Sequence, residues 1–201
     1  MGAVIDYYFA PISGYAYLGH KTLMDVARSH GATVRFLPLA IGKVFAAAET
    51  TPPFAQSAPR KSYRIADQAR WAKRRGLDMN AVPKFWPTDP VPACKAIFAA
   101  GQMGADQDAA TFACLHAVWA EERNIADSET LSDVLTGAGL PAQEIMDAAE
   151  DPALDAEIDA IAGNAIAAEV FGSPTYMVGD QRFWGQDRLD FVAEALASEA
   201  A

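Results

Sequence analysis

The chain has 201 residues, 51% of them apolar and 21% charged, with a formal charge of −10. That length is one domain, or one domain with a large insertion, and a chain of this size hides about 70% of its unfolded surface. The acidic balance excludes a nucleic-acid partner, because phosphate binding needs a surplus of Lys and Arg.

The elements follow in chain order. AVIDYYF (3–9) is rich in β-branched and aromatic residues and predicts a buried strand. From about Gly14 to His30 the pattern is helical, with Tyr15, Leu18, Thr22 and Val26 as its expected seam and Gly31 as its stop. TVRFLPL (33–39) alternates as a second strand, so a β-α-β unit with parallel strands is expected. From about Val44 to Ala168 almost no strand pattern is present. Pro52, Pro53 and Pro59 mark an irregular connection, a helix spans about 60–75, and Gly76 ends it. VPKFWPTDPVP (82–92) is a proline-punctuated loop, and further helices are predicted near 92–103, 106–122, 128–137, 141–149 and 152–169. PTYMVG (174–179) and QRFWG (181–185) read as a tight hairpin. A last helix runs from about Asp187, with Leu189, Val192 and Leu196 on one face. Without the helical block the order is β-α-β-β-α, the core of an α/β thioredoxin-like fold. This divides the chain into a discontinuous domain, 1–43 with 170–201, and an all-helical insertion, 44–169.

The start, MGAVIDYYFAP, has no basic segment followed by an apolar run, and Asp6 stands where a myristoylation motif needs Ser or Thr. No apolar run reaches the roughly 18 residues that span a bilayer, so no membrane partner and a cytoplasmic location are expected. Cys94 and Cys114 lie twenty positions apart in Ala-rich helical segments and read as small buried hydrophobes. With no His at metal-ligand spacing, a zinc site is rejected.

The corner between the first strand and helix carries Ser13. A thioredoxin-like fold sets its working residue there, where unpaired N–H groups and the positive dipole end favour anions. The four residues from Ser13 to Ala16 contain no Cys, so disulfide exchange at this site is excluded. A serine hydroxyl can still donate to an external thiolate; the plain alternative is that Ser13 only caps the helix. A hydrolase nucleophile is disfavoured: it needs a base, there is no G-x-S-x-G elbow, and His20 lies two helical turns away, roughly 10 Å at 1.5 Å per residue.

The other half of the expected site is FGSPTYMVGDQRFWGQDRLD (171–190). Pro174 opens a strand, and in thioredoxin-like folds a proline at this place has a cis bond, leaving the backbone of Ser173 to pair with a peptide-like ligand as an added strand would. Gln186 and Asp187 sit at the next helix start, able to take the carboxylate and ammonium of an amino-acid-like ligand. A turn proline and a simple Asp cap are the plain alternatives.

With DYYFAPISGYAYLG, SYRIADQARWAKRRGL, PKFWPTDPVPACKAIFAAG and VFGSPTYMVGDQRFWGQDRLD in view, the chain resembles the 2-hydroxychromene-2-carboxylate isomerases, DsbA-like relatives of the kappa-class glutathione transferases. The resemblance implies glutathione as cofactor, an aromatic carboxylate as substrate and a homodimer. It makes Ser13 the catalytic serine, hydrogen-bonded to glutathione sulfur. Ser173 and Pro174 would meet the peptide backbone, and Trp184, Gly185, Gln186 and Asp187 would hold its γ-glutamyl end. Lys43, Trp86, Asp89 and Pro90 would fall near the substrate, with one or two cations near Lys43 steadying its carboxylate. Gly14 departs from the family, which usually has Pro after the serine. A kappa-like transferase or peroxidase and a non-catalytic thioredoxin-like module are the alternatives.

Overall fold

The computed structural model describes residues 2–199. Strand β1 (Val4–Phe9), helix α1 (Gly14–Ser29) and strand β2 (Thr33–Pro38) form the expected parallel unit, with Tyr7 opposite Phe36. Strands β3 (Thr175–Val178) and β4 (Gln181–Trp184) turn through Gly179 and Asp180, and β3 runs antiparallel to β1 on its free side. The sheet order is β2-β1-β3-β4. Between β2 and β3 lie α2 (Gly42–Ala47), a 3-10 turn (Pro53–Ala55), α3 (Ala58–Arg75), α4 (Val91–Gln102), α5 (Gln107–Trp119), α6 (Ser128–Gly137), α7 (Ala142–Ala149) and α8 (Ala153–Ala167). A second 3-10 turn (Gln186–Arg188) leads into α9 (Leu189–Glu199).

Central β1 explains why its sequence is apolar almost throughout. Ile5, Tyr7 and Phe9 enter a cluster with residues of α1, α4, α5 and α9, while Tyr8 points the other way into a cluster with Leu39, Val44 and the α8 residues Ile158 and Ile161. Alternate residues of one strand therefore serve two cores, as the period of two requires. Tyr7 stacks between Phe9, at 4.4 Å between ring centroids, and Tyr176, at 5.5 Å. Insertion helices and sheet share the larger cluster, so the inserted block is welded to the sheet by apolar burial rather than hung from it.

Two expectations change. Of the seam assigned to α1, only Leu18 is fully buried; Tyr15, Thr22 and Val26 are half-buried. The helix is covered by the sheet on one side and by α3 and α5 on another, so its buried arc is broad and includes Ala16, His20, Leu23 and Ala27. The short α2 was not anticipated, because six residues are too few to show a helical period. By contrast Gly76 ends α3 as expected, in the left-handed conformation at φ 64°.

Candidate active site

Ser13 sits just before α1 with extended backbone angles, φ −86° and ψ 118°. Its Oγ accepts from the N–H of Ala16 at 3.2 Å, so the capping role is real. The same hydroxyl donates to the carbonyl of Ser173 at 3.2 Å. In return the Ser173 Oγ accepts from the N–H of Ala10 at 2.9 Å. The Ser173–Pro174 bond is cis, as the sequence suggested. The ends of β1 and β3, neighbours in the sheet, are thus stitched by two serines 160 residues apart. Among the described residues, the N–H groups of Gly14, Tyr15 and Ser173 donate to no acceptor in the chain. All three residues line a cavity of about 1350 Å³ whose wall also includes Ser13.

That cavity lies between the sheet ends and the insertion. Ile12, Phe45, Phe54 and Phe171 supply apolar wall, and Trp86, Pro87 and Pro90 add a flat rim from the proline-rich loop. The Trp86–Pro87 bond is also cis. Trp86 is held by its indole N–H, which donates to the Ile12 carbonyl at 2.9 Å; Trp119 donates to the same oxygen at 3.3 Å. Trp184, 53% exposed, stands at the mouth against Phe171, 4.9 Å away between ring centroids.

Helix α3 contributes the polar part of the wall. Arg60, Arg64 and Gln68 recur at one-turn spacing, and Tyr63 lies beside them. The guanidinium of Arg64 lies 4.3 Å above the Trp86 ring, and burial lowers its pKa from the ordinary value. Its Nε is shielded from solvent without a hydrogen-bond partner, and so is the Oε1 of Gln68. The neighbouring carboxylate, Asp67, accepts from the hydroxyl of Tyr15 at 2.9 Å. Burial first, and then that bond, push the Tyr15 phenol above its usual range.

Glycine after the serine has a steric reason here. A Cβ at Gly14 would abut the Gln68 side-chain amide and come within 2.9 Å of both Met79 and Trp119, so these three side chains would have to shift to admit one.

Of the residues expected at the site, Ser13, Ser173, Trp184, Trp86 and Pro90 line the cavity. Pro174 stands behind Ser173, its carbonyl accepting from the N–H of Gly185 at 3.0 Å. Lys43 is placed differently: it points to solvent and pairs with Asp159 of α8 at 2.6 Å. On its short helix, the neighbours Gly42 and Phe45 face the cavity and Lys43 faces away. Asp89 turns into its own loop, where its Oδ1 accepts from the N–H of Val91 at 3.0 Å and prepares α4. Gln186 is buried, and its Oε1 accepts from Arg75 at 2.9 Å, because α1 and α3 close over it. Gly185 and Asp187 lie past Trp184, outside the cavity wall, and Asp187 pairs with Arg188 at 3.2 Å. The sequence reading missed Arg64, Gln68 and Tyr63; the one-turn row from Arg60 to Gln68 was the available signal.

Among the described residues no histidine lines the cavity. His20 is buried and bonded to Asp108 at 2.6 Å, so Ser13 has no base beside it. Both cysteines are free and buried, and burial pushes the Cys114 thiol up to about 12. Neither is a ready nucleophile.

A serine at the strand-to-helix corner, facing a cis-proline strand across a four-stranded sheet, defines a DsbA-like protein without the disulfide chemistry. The family model described as the DSBA-like thioredoxin domain matches residues 4–197. A 2-hydroxychromene-2-carboxylate isomerase of Sphingobium xenophagum is 32% identical over 98% of this chain and 99% of its own length. One from Pseudomonas putida is 27% identical over 96% and 94%. A solved 2-hydroxychromene-2-carboxylate isomerase superposes with a TM-score of 0.85 at 23% identity, covering 98% of this chain and 96% of that one. The chain belongs to the 2-hydroxychromene-2-carboxylate isomerase family, within the DsbA-like thioredoxin proteins. Among the described residues no helix is long and apolar enough to cross a membrane.

Proposed function

We propose that the protein is a glutathione-dependent isomerase that interconverts the cis and trans forms of an aromatic carboxylic acid, 2-hydroxychromene-2-carboxylate or a close relative. The relatives' names support an isomerase. The observation that carries the thiol requirement is the Ser13 hydroxyl at the cavity wall, with three unused N–H groups around it and no histidine to make it a nucleophile.

The residues fit a bound tripeptide thiol. The free N–H groups of Gly14 and Tyr15 open the first turn of α1, where the dipole favours a thiolate. The Ser173 N–H is free and its carbonyl is held only by a hydroxyl, so its backbone can pair with a peptide as an edge strand does. Ligand pockets usually run to about 1000 Å³ at most, and this larger cavity has room for thiol and substrate together.

Glutathione, if bound, would supply a thiolate for reversible addition to the conjugated system: the carbon–carbon π pair would shift to the carbonyl oxygen, the bond would be single and free to turn, and loss of the thiolate would restore the double bond. The protein's tasks are then electrostatic and positional. Ser13, whose hydroxyl donates to the Ser173 carbonyl, would be free to donate to the sulfur instead and so favour its thiolate form. The apolar walls exclude water, which strengthens each of those interactions. Trp86 and Pro90 offer flat surfaces to an aromatic ring.

The test is the ultraviolet spectrum of the chromene substrate followed with and without glutathione. Conversion that requires both protein and glutathione is expected; equal rates without glutathione would refute the mechanism.

A further inference from the structure

We infer that Arg64 is the anchor for the carboxylate of the aromatic substrate. The identity of that carboxylate rests on the function proposed above; the anchoring rests on the geometry of Arg64 itself.

Arg60 and Arg64 are the cations that line the cavity, and Arg60 is exposed. Arg64 is half-buried and, among the described residues, forms no ion pair and no hydrogen bond. Removing a guanidinium from water without a partner is unfavourable, and buried charges are ordinarily paired. Lys43 and Lys95, by contrast, have carboxylate partners, Asp159 and Asp155. Asp67, one turn along, is committed to Tyr15. What Arg64 has instead is the face of Trp86, which orients the planar guanidinium, and with Nε shielded it is the two Nη groups that are left for a ligand.

The position of those groups is tied to the catalytic serine. Trp86 carries Arg64, the Ile12 carbonyl holds Trp86, and Ile12 precedes Ser13. Beyond Arg64 on the same helix face, Gln68 is 1% exposed with an unpartnered Oε1, an acceptor suited to a substrate hydroxyl. A planar acid with a carboxylate at one end meets a fork that accepts carboxylates in two parallel hydrogen bonds. The anchor discriminates against uncharged analogues of the same shape.

Calorimetry with cinnamate and with cinnamamide, a neutral counterpart, tests this without any turnover. The full-length protein should bind cinnamate about tenfold or more tighter than the amide, the range for a charge-assisted hydrogen bond. Arg64→Met should abolish that preference while glutathione affinity stays within about twofold, and Arg64→Lys, which keeps charge without the fork, should retain part of it. The inference is overturned if the parent protein shows no preference, if Arg64→Met keeps it, or if Arg64→Met weakens acid and amide equally. Loss of glutathione affinity with cinnamate preference intact would overturn it too, by assigning Arg64 to the tripeptide. A protein that prefers cinnamate through Arg64 but turns over no chromene would sink the isomerase and leave the anchor standing.

Discussion

The two walls of the cavity are made in different ways. On the sheet side the working groups are backbone N–H groups, one carbonyl and a serine hydroxyl, held by the ends of β1 and β3 and the start of α1. On the insertion side they are long side chains of α3 and an indole, held by stacking and by one hydrogen bond to Ile12. The first wall is generic for its fold and suits a cofactor whose chemistry is constant. The second depends on which residues a surface helix happens to turn inward, so it is where substrate choice can vary without disturbing the proposed thiol site.

Four measurements would break or sharpen that contrast. Ser13→Ala removes the hydroxyl donor that caps the helix start on the sheet wall, and turnover should fall on the order of a hundredfold or more, as for a lost oxyanion donor. A loss below tenfold in steady-state kinetics would show that the backbone N–H groups suffice. Gly14→Ala forces a methyl between the walls, against Gln68, Met79 and Trp119. Overpacking of this kind destabilises by about 1–3 kcal/mol, read as a lower urea midpoint with unchanged slope. An unmoved midpoint would mean that the walls meet less tightly than described.

Trp86→Phe acts on the insertion side alone, deleting the donor to Ile12 and weakening the platform under Arg64. Affinity for an aromatic acid should fall about fivefold, the worth of roughly 1 kcal/mol, with glutathione affinity kept. Equal losses for both ligands would argue that the walls are not separable. The smallest effect belongs to Lys43→Ala. Its ion pair with Asp159 is 60% exposed on both sides, and such pairs contribute about 0–1 kcal/mol. Turnover within about twofold of the parent is expected, and a tenfold loss would return Lys43 to the site.

Legibility in the sequence follows the same division. Ser13 and Ser173 could be found because each belongs to a local signature, a strand-to-helix corner and a strand-opening proline, and the sheet pairs those two ends in any thioredoxin-like chain. Away from those signatures the reading set Lys43 near the substrate, where the structure turns it to solvent, and missed Arg64. Both are cations on helices, and although the one-turn row from Arg60 to Gln68 marks a shared face of α3, it does not tell which way that face turns. Helix α3 is polar around most of its circumference; its fully buried residues are Gln68 and Ala72, so there is no apolar stripe to set its phase. Gln186 was misplaced for a related reason. The start of α9 reads as an exposed cap until Arg75, brought from α3, is seen to occupy it.

By itself the sequence determined the order of strands and helices apart from the short α2, the absence of a Cys pair at the strand-to-helix corner and the thioredoxin-like frame. Those properties rest on periodicity, turn residues and residue identity, all of which act over a few positions along the chain. The tertiary structure alone decided that a side chain at Gly14 would crowd Gln68, Met79 and Trp119, that Gln186 is sealed by Arg75, and that the half-buried cation lining the cavity is Arg64 while Lys43 faces solvent. Each of these depends on segments about 50 to 110 residues apart being pressed together by a shared apolar core, and the direction of a side chain within such a contact is set by its neighbours in space.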